Sequence, residues 1–207
     1  MPKNNITTRR PARTVAAALT VASLVALAGP VATAQADGKD SHKGAKGSHA
    51  AKHSGIGLLS LKFVKNRANH RNSRLYVMRD GSPVKSYRAG SGWGEKATEE
   101  CVVDQGWLPS GSYRIGGYER HHDSKIKGYA ISLSDTVCED KKTARKGLFI
   151  HSEMTRDGGR GRDESQRWDG EKDYNSNGCI KLSPDDIKGM YKWFEKNGWP
   201  KTLKVVG

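Results

Sequence analysis

No stretch of this 207-residue sequence is apolar for long enough to cross a bilayer as a helix. Such a span takes about 20 residues at 1.5 Å rise each, and the longest apolar run, residues 14–28, has 15. Cysteine is scarce, at three, and no set of cysteines and histidines has zinc-ligand spacing. Acids are few, 22 Asp and Glu against 36 Lys and Arg. That imbalance gives no reason to expect nucleic acid, because neither a DNA-reading motif nor a stripe of basic and aromatic residues accompanies it. There is no internal repeat. The segment Gly158-Gly159-Arg160-Gly161-Arg162-Asp163 superficially matches a calcium-binding nonapeptide, but one copy cannot stack into a β-roll and Ser165 fills its apolar position.

What the chain does have begins with a leader. Lys3, Arg9, Arg10 and Arg13 precede the apolar run, and Ala34-Gln35-Ala36 or Ala32-Thr33-Ala34 offers a small-x-small cleavage site. Taking the later cut, residues 1–36 are a signal peptide and the protein is expected to be secreted and soluble. Thr8-Arg9-Arg10 hints at twin-arginine export, but Pro11 and Ala12 follow, so the route stays open. Loss of the leader, with four cations and no acid, leaves about +10 of the formal +14. This favours anionic surroundings, whether acidic wall polymers, membrane head groups or stray nucleic acid, and net charge alone does not choose among them. Residues 37–57 collapse to Lys, His, Ser, Ala and Gly, with almost nothing to bury, and read as a disordered linker. His42, His49 and His53 belong to that tether rather than to a metal site.

Residues 58–207 suit a single domain, and the pattern is mostly β. Strands are expected at 75–78 and 83–87 around an Asp80-Gly81 hairpin, then at 112–115, 129–133 and 148–150. One helix should start at Ser183, with Pro184 in its first turn and Asp186 three residues after the cap, and run to Asn197 before Gly198 and Pro200. Ile187, Met190, Tyr191 and Phe194 give it one apolar face. Residues 202–206 read as a closing strand, and His121 and His122 as surface residues of a charged loop.

An odd number of cysteines in an oxidising compartment leaves at least one unpaired. Cys101 and Cys138 lie in polar stretches, as suits a disulfide between two loops. Cys179 lies in Asn175-Ser176-Asn177-Gly178-Cys179-Ile180-Lys181-Leu182, just before the helix. Gly178 lets the backbone turn tightly, and the N–H groups beside it can face a developing oxyanion. A thiol nucleophile needs a base, and His151, at the end of the apolar strand, is the candidate. A buried inert cysteine and a satisfied core histidine are the alternative.

The words Ile150-His151-Ser152 and Ser176-x-Gly178-Cys179-Ile180-Lys181-Leu182 resemble the signature of the L,D-transpeptidase (YkuD-type) catalytic domain, H-[GS] followed by S-x-G-C-[IV]-R. Arg74-Leu75-Tyr76-Val77 with its hairpin, and Leu108-Pro109-Ser110-Gly111-Ser112-Tyr113-Arg114-Ile115, are similar to the family's opening segments. The resemblance implies a mostly β sandwich or barrel with one main helix after the catalytic cysteine and a closing strand. It also implies a metal-free and cofactor-free cysteine acyltransferase that is associated with the cell wall and acts on peptidoglycan stem peptides. Cys179 would be the nucleophile, His151 its base, Ser152 the orienter of the imidazole through its main-chain carbonyl, and Gly178 part of the oxyanion site. Ser176, Asn177 and Lys181 would meet substrate. Two features depart from the family pattern. Lys181 replaces an arginine and loses its planar fork, and 28 positions separate His151 from Cys179, more than is usual. The extra residues, 156–173, should form a loop beside the site, with Trp168 and Tyr174 either lining a substrate groove or anchoring the loop. A monomer without stable membrane insertion is expected.

Two rivals share the cysteine chemistry. A sortase needs an arginine after its cysteine, and none occurs beyond Arg167. A papain-like or NlpC/P60 peptidase would place Cys before His. The rival of another class is a non-catalytic wall-binding module.

Overall fold

The computed structural model describes residues 57–207, so the leader and nearly all of the 37–57 linker lie outside the described residues. Its strands, in chain order, are β1 (Leu59–Val64), β2 (Ser73–Arg79), β3 (Ser82–Ala89), β4 (Gly111–Asp123), β5 (Lys127–Leu133), β6 (Thr136–Val137), β7 (Ala144–Arg145), β8 (Phe149–His151), β9 (Ile180–Lys181) and β10 (Thr202–Val206). Helix α1 (Glu164–Arg167) is one turn, and α2 (Pro184–Asn197) is the main helix. Eight strands form one sheet in the order β3-β2-β1-β10-β4-β5-β8-β9, while β6 and β7 make a separate ribbon. The β1/β10 and β8/β9 pairs are parallel, the other pairs antiparallel. Gly90, just past β3, exchanges both main-chain hydrogen bonds with Lys181 of β9, each at 2.9 Å. The two ends of the sheet therefore meet at the end of β9, the combination of sheet and closure expected for this mostly β fold.

Local chemistry accounts for the elements read from sequence. Asp80 and Gly81 have φ of 49° and 81°. Both central residues of the two-residue hairpin loop are thus left-handed, matching the strand twist. At α2, the Ser183 hydroxyl accepts the Asp186 N–H at 3.2 Å and donates to the Asp186 carboxylate at 2.8 Å. The apolar face of α2, Ile187, Met190, Tyr191 and Phe194, packs with Leu61, Phe63, Leu75, Val77, Leu203 and Val205 in one core. Strand β1 was not expected, although Leu59, Leu61 and Phe63 alternate inward as a half-buried strand requires. The expected strand at 112–115 extends to Asp123, so His121, exposed, and His122, half-buried against Phe149, stand on a strand end rather than in a loop. Polar residues on its open side hid that strand from an alternation test.

The long connection from β3 to β4 is fastened at three places. Cys101 is bonded to Cys138, Cα to Cα 5.5 Å, which ties the connection to the β6/β7 ribbon. Glu100 forms an ion pair with the fully buried side chain of Lys65 and accepts the Ser110 N–H at 2.9 Å. Trp107, fully buried, lies 4.8 Å below the Lys65 ammonium. The disulfide bridges 37 residues of chain, which in the chain-entropy picture stabilises the fold by about 3–4 kcal/mol. A Cys101→Ala/Cys138→Ala double variant should lower unfolding free energy by that amount in urea titration. If the wild-type protein with and without reductant unfolded at the same midpoint, this estimate would fail.

Candidate active site

The parallel pairing of β8 with β9 sets Ile150 beside Ile180 and His151 beside Lys181. Side chains alternate along a strand, so Ile150 and Ile180, both fully buried, face the core. His151, Lys181 and Cys179 share the opposite face. That face is the floor of an open cleft of about 840 Å³, whose lining includes His151, Glu153, Ser176, Asn177, Cys179 and Lys181.

The turn before Cys179 is shaped by its own residues. The Ser176 hydroxyl donates to the Cys179 carbonyl at 2.6 Å and accepts the Gly92 N–H at 3.3 Å. Its side chain is thus committed to the main chain, and it supports the turn more than it offers itself to a ligand. Gly178 has φ of 101°, and a Cβ there would come 2.1 Å from Arg145 Nη2 and 3.0 Å from the Gly106 carbonyl. Only glycine satisfies both the dihedral and the space.

Cys179 is the free cysteine among the described residues, and it is 8% exposed. Its thiol donates to the Gly147 carbonyl at 3.9 Å. Burial pushes it up to about 11, while the Phe149 main-chain N–H and the Arg145 guanidinium favour the thiolate and Glu153 opposes it. His151 is 3% exposed, and burial, reinforced by the Lys181 charge, pulls it down to about 3. The Ser152 main chain works in the other direction, yet Nδ1 of His151 has no partner within hydrogen-bond geometry. The Ser152 hydroxyl is also buried and unpaired, so any role in orienting the ring falls to its main chain. The resting pair is therefore a neutral thiol and a neutral imidazole, with no hydrogen bond between them.

That depressed imidazole has a consequence for stability. An unfolded histidine takes up a proton as pH falls below about 6.5, whereas the folded ring does so only near 3. Stability from this group is complete above the upper value and declines as pH drops through that window, by up to about 1.4 kcal/mol per pH unit. His151→Gln should lose this component, so its urea stability relative to wild type should improve between pH 7 and pH 4. Parallel profiles would show that the ring is not held neutral.

Lys181 is 4% exposed, and its ammonium pairs with Glu153 Oε2 at 2.9 Å. It is a neutralised cation within the wall rather than a free anion hook. Asn177 is exposed on the cleft, as expected. Trp168 and Tyr174 do not line the cleft. They meet edge to face at 5.2 Å, and the Trp168 indole N–H donates to the Glu153 carbonyl at 2.6 Å. Tyr174 lies under the Arg88 guanidinium, 4.3 Å from its ring centre, and its carbonyl crowds Gly90. Of the two alternatives, the pair anchors the 156–173 loop, because aromatic bulk is satisfied by self-packing there. Three participants escaped sequence reasoning: Glu153, Arg145 and Trp93, which is 42% exposed on the cleft wall. Glu153 had a signal, since it stands two residues from His151 and shares its face; Arg145 and Trp93 had none.

A family model for the YkuD L,D-transpeptidase catalytic domain matches residues 66–206. No curated protein matches the chain. Among solved structures, L,D-transpeptidase 1 of Mycobacterium tuberculosis is 19% identical with a TM-score of 0.39, over 72% of this chain and 62% of that one. The catalytic domain of the Enterococcus faecium L,D-transpeptidase acylated by ertapenem is 14% identical, TM-score 0.41, over 72% and 98%. An L,D-transpeptidase from Mycobacterium smegmatis is 17% identical, TM-score 0.38, over 72% and 59%. This chain therefore spans less than two thirds of the mycobacterial structures it matches.

Proposed function

The chain belongs to the L,D-transpeptidase (YkuD) catalytic-domain family, and from that premise we propose that it is an exported cysteine acyltransferase of the cell wall. The donor is a peptidoglycan stem tetrapeptide. His151 takes the proton of Cys179, and the thiolate attacks the carbonyl that links the third stem residue to the terminal D-Ala. N–H groups around Gly178 and Cys179 hold the oxyanion. The C–N bond breaks, D-Ala leaves with the proton returned by His151, and a thioester remains on Cys179. An amine of a neighbouring stem then resolves it as a 3→3 cross-link, or water resolves it as a carboxypeptidase. The cationic surface suits anionic wall polymers, and no helix among the described residues is long and apolar enough to cross a membrane.

The observation that carries this reading is the placement of Cys179 and His151 on one face of paired strands, at the floor of an open cleft. The test is intact mass spectrometry of purified protein incubated with a stem tetrapeptide, or with a carbapenem as an acylating probe. A covalent adduct and D-Ala release are expected for wild type and not for Cys179→Ala. Wild type that yields neither, with Cys179 reduced, would leave the non-catalytic wall-binding module as the better reading.

A further inference from the structure

One buried charge has no use in the reaction as written. Arg145 of β7 is 3% exposed, and none of the ion pairs among the described residues includes it. Its guanidinium donates instead to three main-chain carbonyls of the β3–β4 connection: Glu100, Gly106 at 2.9 Å and Trp107 at 3.4 Å. Carbonyl dipoles solvate a cation but leave its charge in place, and a buried unpaired charge is costly unless something offsets it. The nearby acids do not neutralise it. Glu100 is committed to Lys65 and Ser110, and Asp104 acts on Arg145 only at longer range. Tyr113 is neutral, its hydroxyl donating to the Pro109 carbonyl at 2.7 Å.

The other face of this guanidinium is the back of the nucleophile turn. Nη2 stands 2.1 Å from where a Cβ of Gly178 would be, which is contact with the residue bonded to Cys179. The charged groups lining the cleft around the thiol are His151, neutral, Lys181 with Glu153, mutually compensated, the acids Asp104, Glu164 and Asp173, and the exposed lysines Lys125, Lys146 and Lys172. Unlike those exposed lysines, Arg145 is buried, has no ion pair among the described residues and packs directly against Gly178. The connection that supplies its carbonyl collar is fastened by the Cys101–Cys138 bond, and Cys138 belongs to the ribbon on which Arg145 itself stands.

We propose that Arg145 is a positioning residue for the acyl-transfer reaction, bracing the Gly178–Cys179 turn from behind and supplying the countercharge for the thiolate and the oxyanion formed in front of it. The inference rests on Cys179 being the nucleophile. The arrangement adds to the base His151 a charge that favours the thiolate once formed, and it gives the disulfide a role in the site besides stability.

Iodoacetamide alkylation of Cys179, followed by intact mass as a function of pH, reads the thiolate without any stem peptide. A cation beside a thiolate lowers its pKa, so its removal shifts the profile upward. Arg145→Met should displace the profile by about one pH unit or more, equivalent to about tenfold slower alkylation at fixed pH. Arg145→Lys, which keeps a charge, should return most of that shift. If Arg145→Met does not fold by near-ultraviolet circular dichroism, Arg145→citrulline, isosteric and uncharged, replaces it and should show the same displacement. A neutral variant whose profile superposes on wild type overturns the proposal. Superposition with D-Ala still released would count against Arg145 alone, whereas a shifted profile without D-Ala release would count against the transpeptidase reading alone.

Discussion

Replacing His151 by alanine is expected to slow acylation of Cys179 by about a thousandfold, the usual contribution of a positioned general base. The reasons are local. The ring is fixed at the end of β8, one strand from the nucleophile, and burial holds it unprotonated at neutral pH. No other imidazole of the described residues lines the cleft: His121 and His122 stand on β4, and His70 is 3.2 Å from Asn175 Oδ1 outside it. The thiol, pushed up to about 11, is almost entirely protonated at pH 7 and depends on that base. Loss of the carbapenem chromophore under single-turnover conditions measures the step, and free imidazole should restore part of the rate. A His151→Ala protein that acylates within about threefold of wild type would remove histidine from the mechanism.

Gly178→Ala should damage stability and activity together. A left-handed φ costs a side-chain-bearing residue about 1–2 kcal/mol, and forcing a methyl against Arg145 Nη2 and the Gly106 carbonyl adds about 1–3 kcal/mol of overpacking. A fall in melting temperature of roughly 5–15 °C follows for a protein of this size. Acylation should fall further than the folded fraction, because relief of the clash moves the N–H groups that face the oxyanion. Gly189→Ala is the control. It lies on the exposed face of α2 with nothing within 4 Å of the added carbon, and should stabilise by about 0.5–1 kcal/mol. Equal melting temperatures for Gly178→Ala and wild type, by calorimetry, would contradict the crowding read from the structure.

Reading the sequence worked where the determinant is a few residues long. Asp80-Gly81 specified its hairpin through backbone preferences, and Ser183-Pro184 started α2 through capping. The Ser176–Cys179 word pointed to the nucleophile turn because its serine and glycine serve backbone needs within four residues. Reading failed where a residue's partner is distant. Glu153 and Lys181 are 28 residues apart, and Arg145 meets carbonyls about 40 residues earlier. Trp168 and Tyr174 carry the same letters whether they line a groove or pack on each other, and it is their contacts with each other, with the Glu153 carbonyl and with Arg88 that place them.

The amino-acid sequence by itself thus determined the mostly β class, the main helix with both its ends, and the identity of a cysteine on a glycine turn with a histidine upstream. These follow from period, capping and backbone freedom, all short-range. Tertiary structure alone decided that the sheet closes at Gly90 and Lys181, and that β8 lies parallel to β9 so that His151 and Cys179 share a face. It likewise decided that Arg145 is buried behind that face. Those choices are made by strand pairing and packing between segments far apart in the chain, where one register rather than its neighbour turns a side chain inward or out.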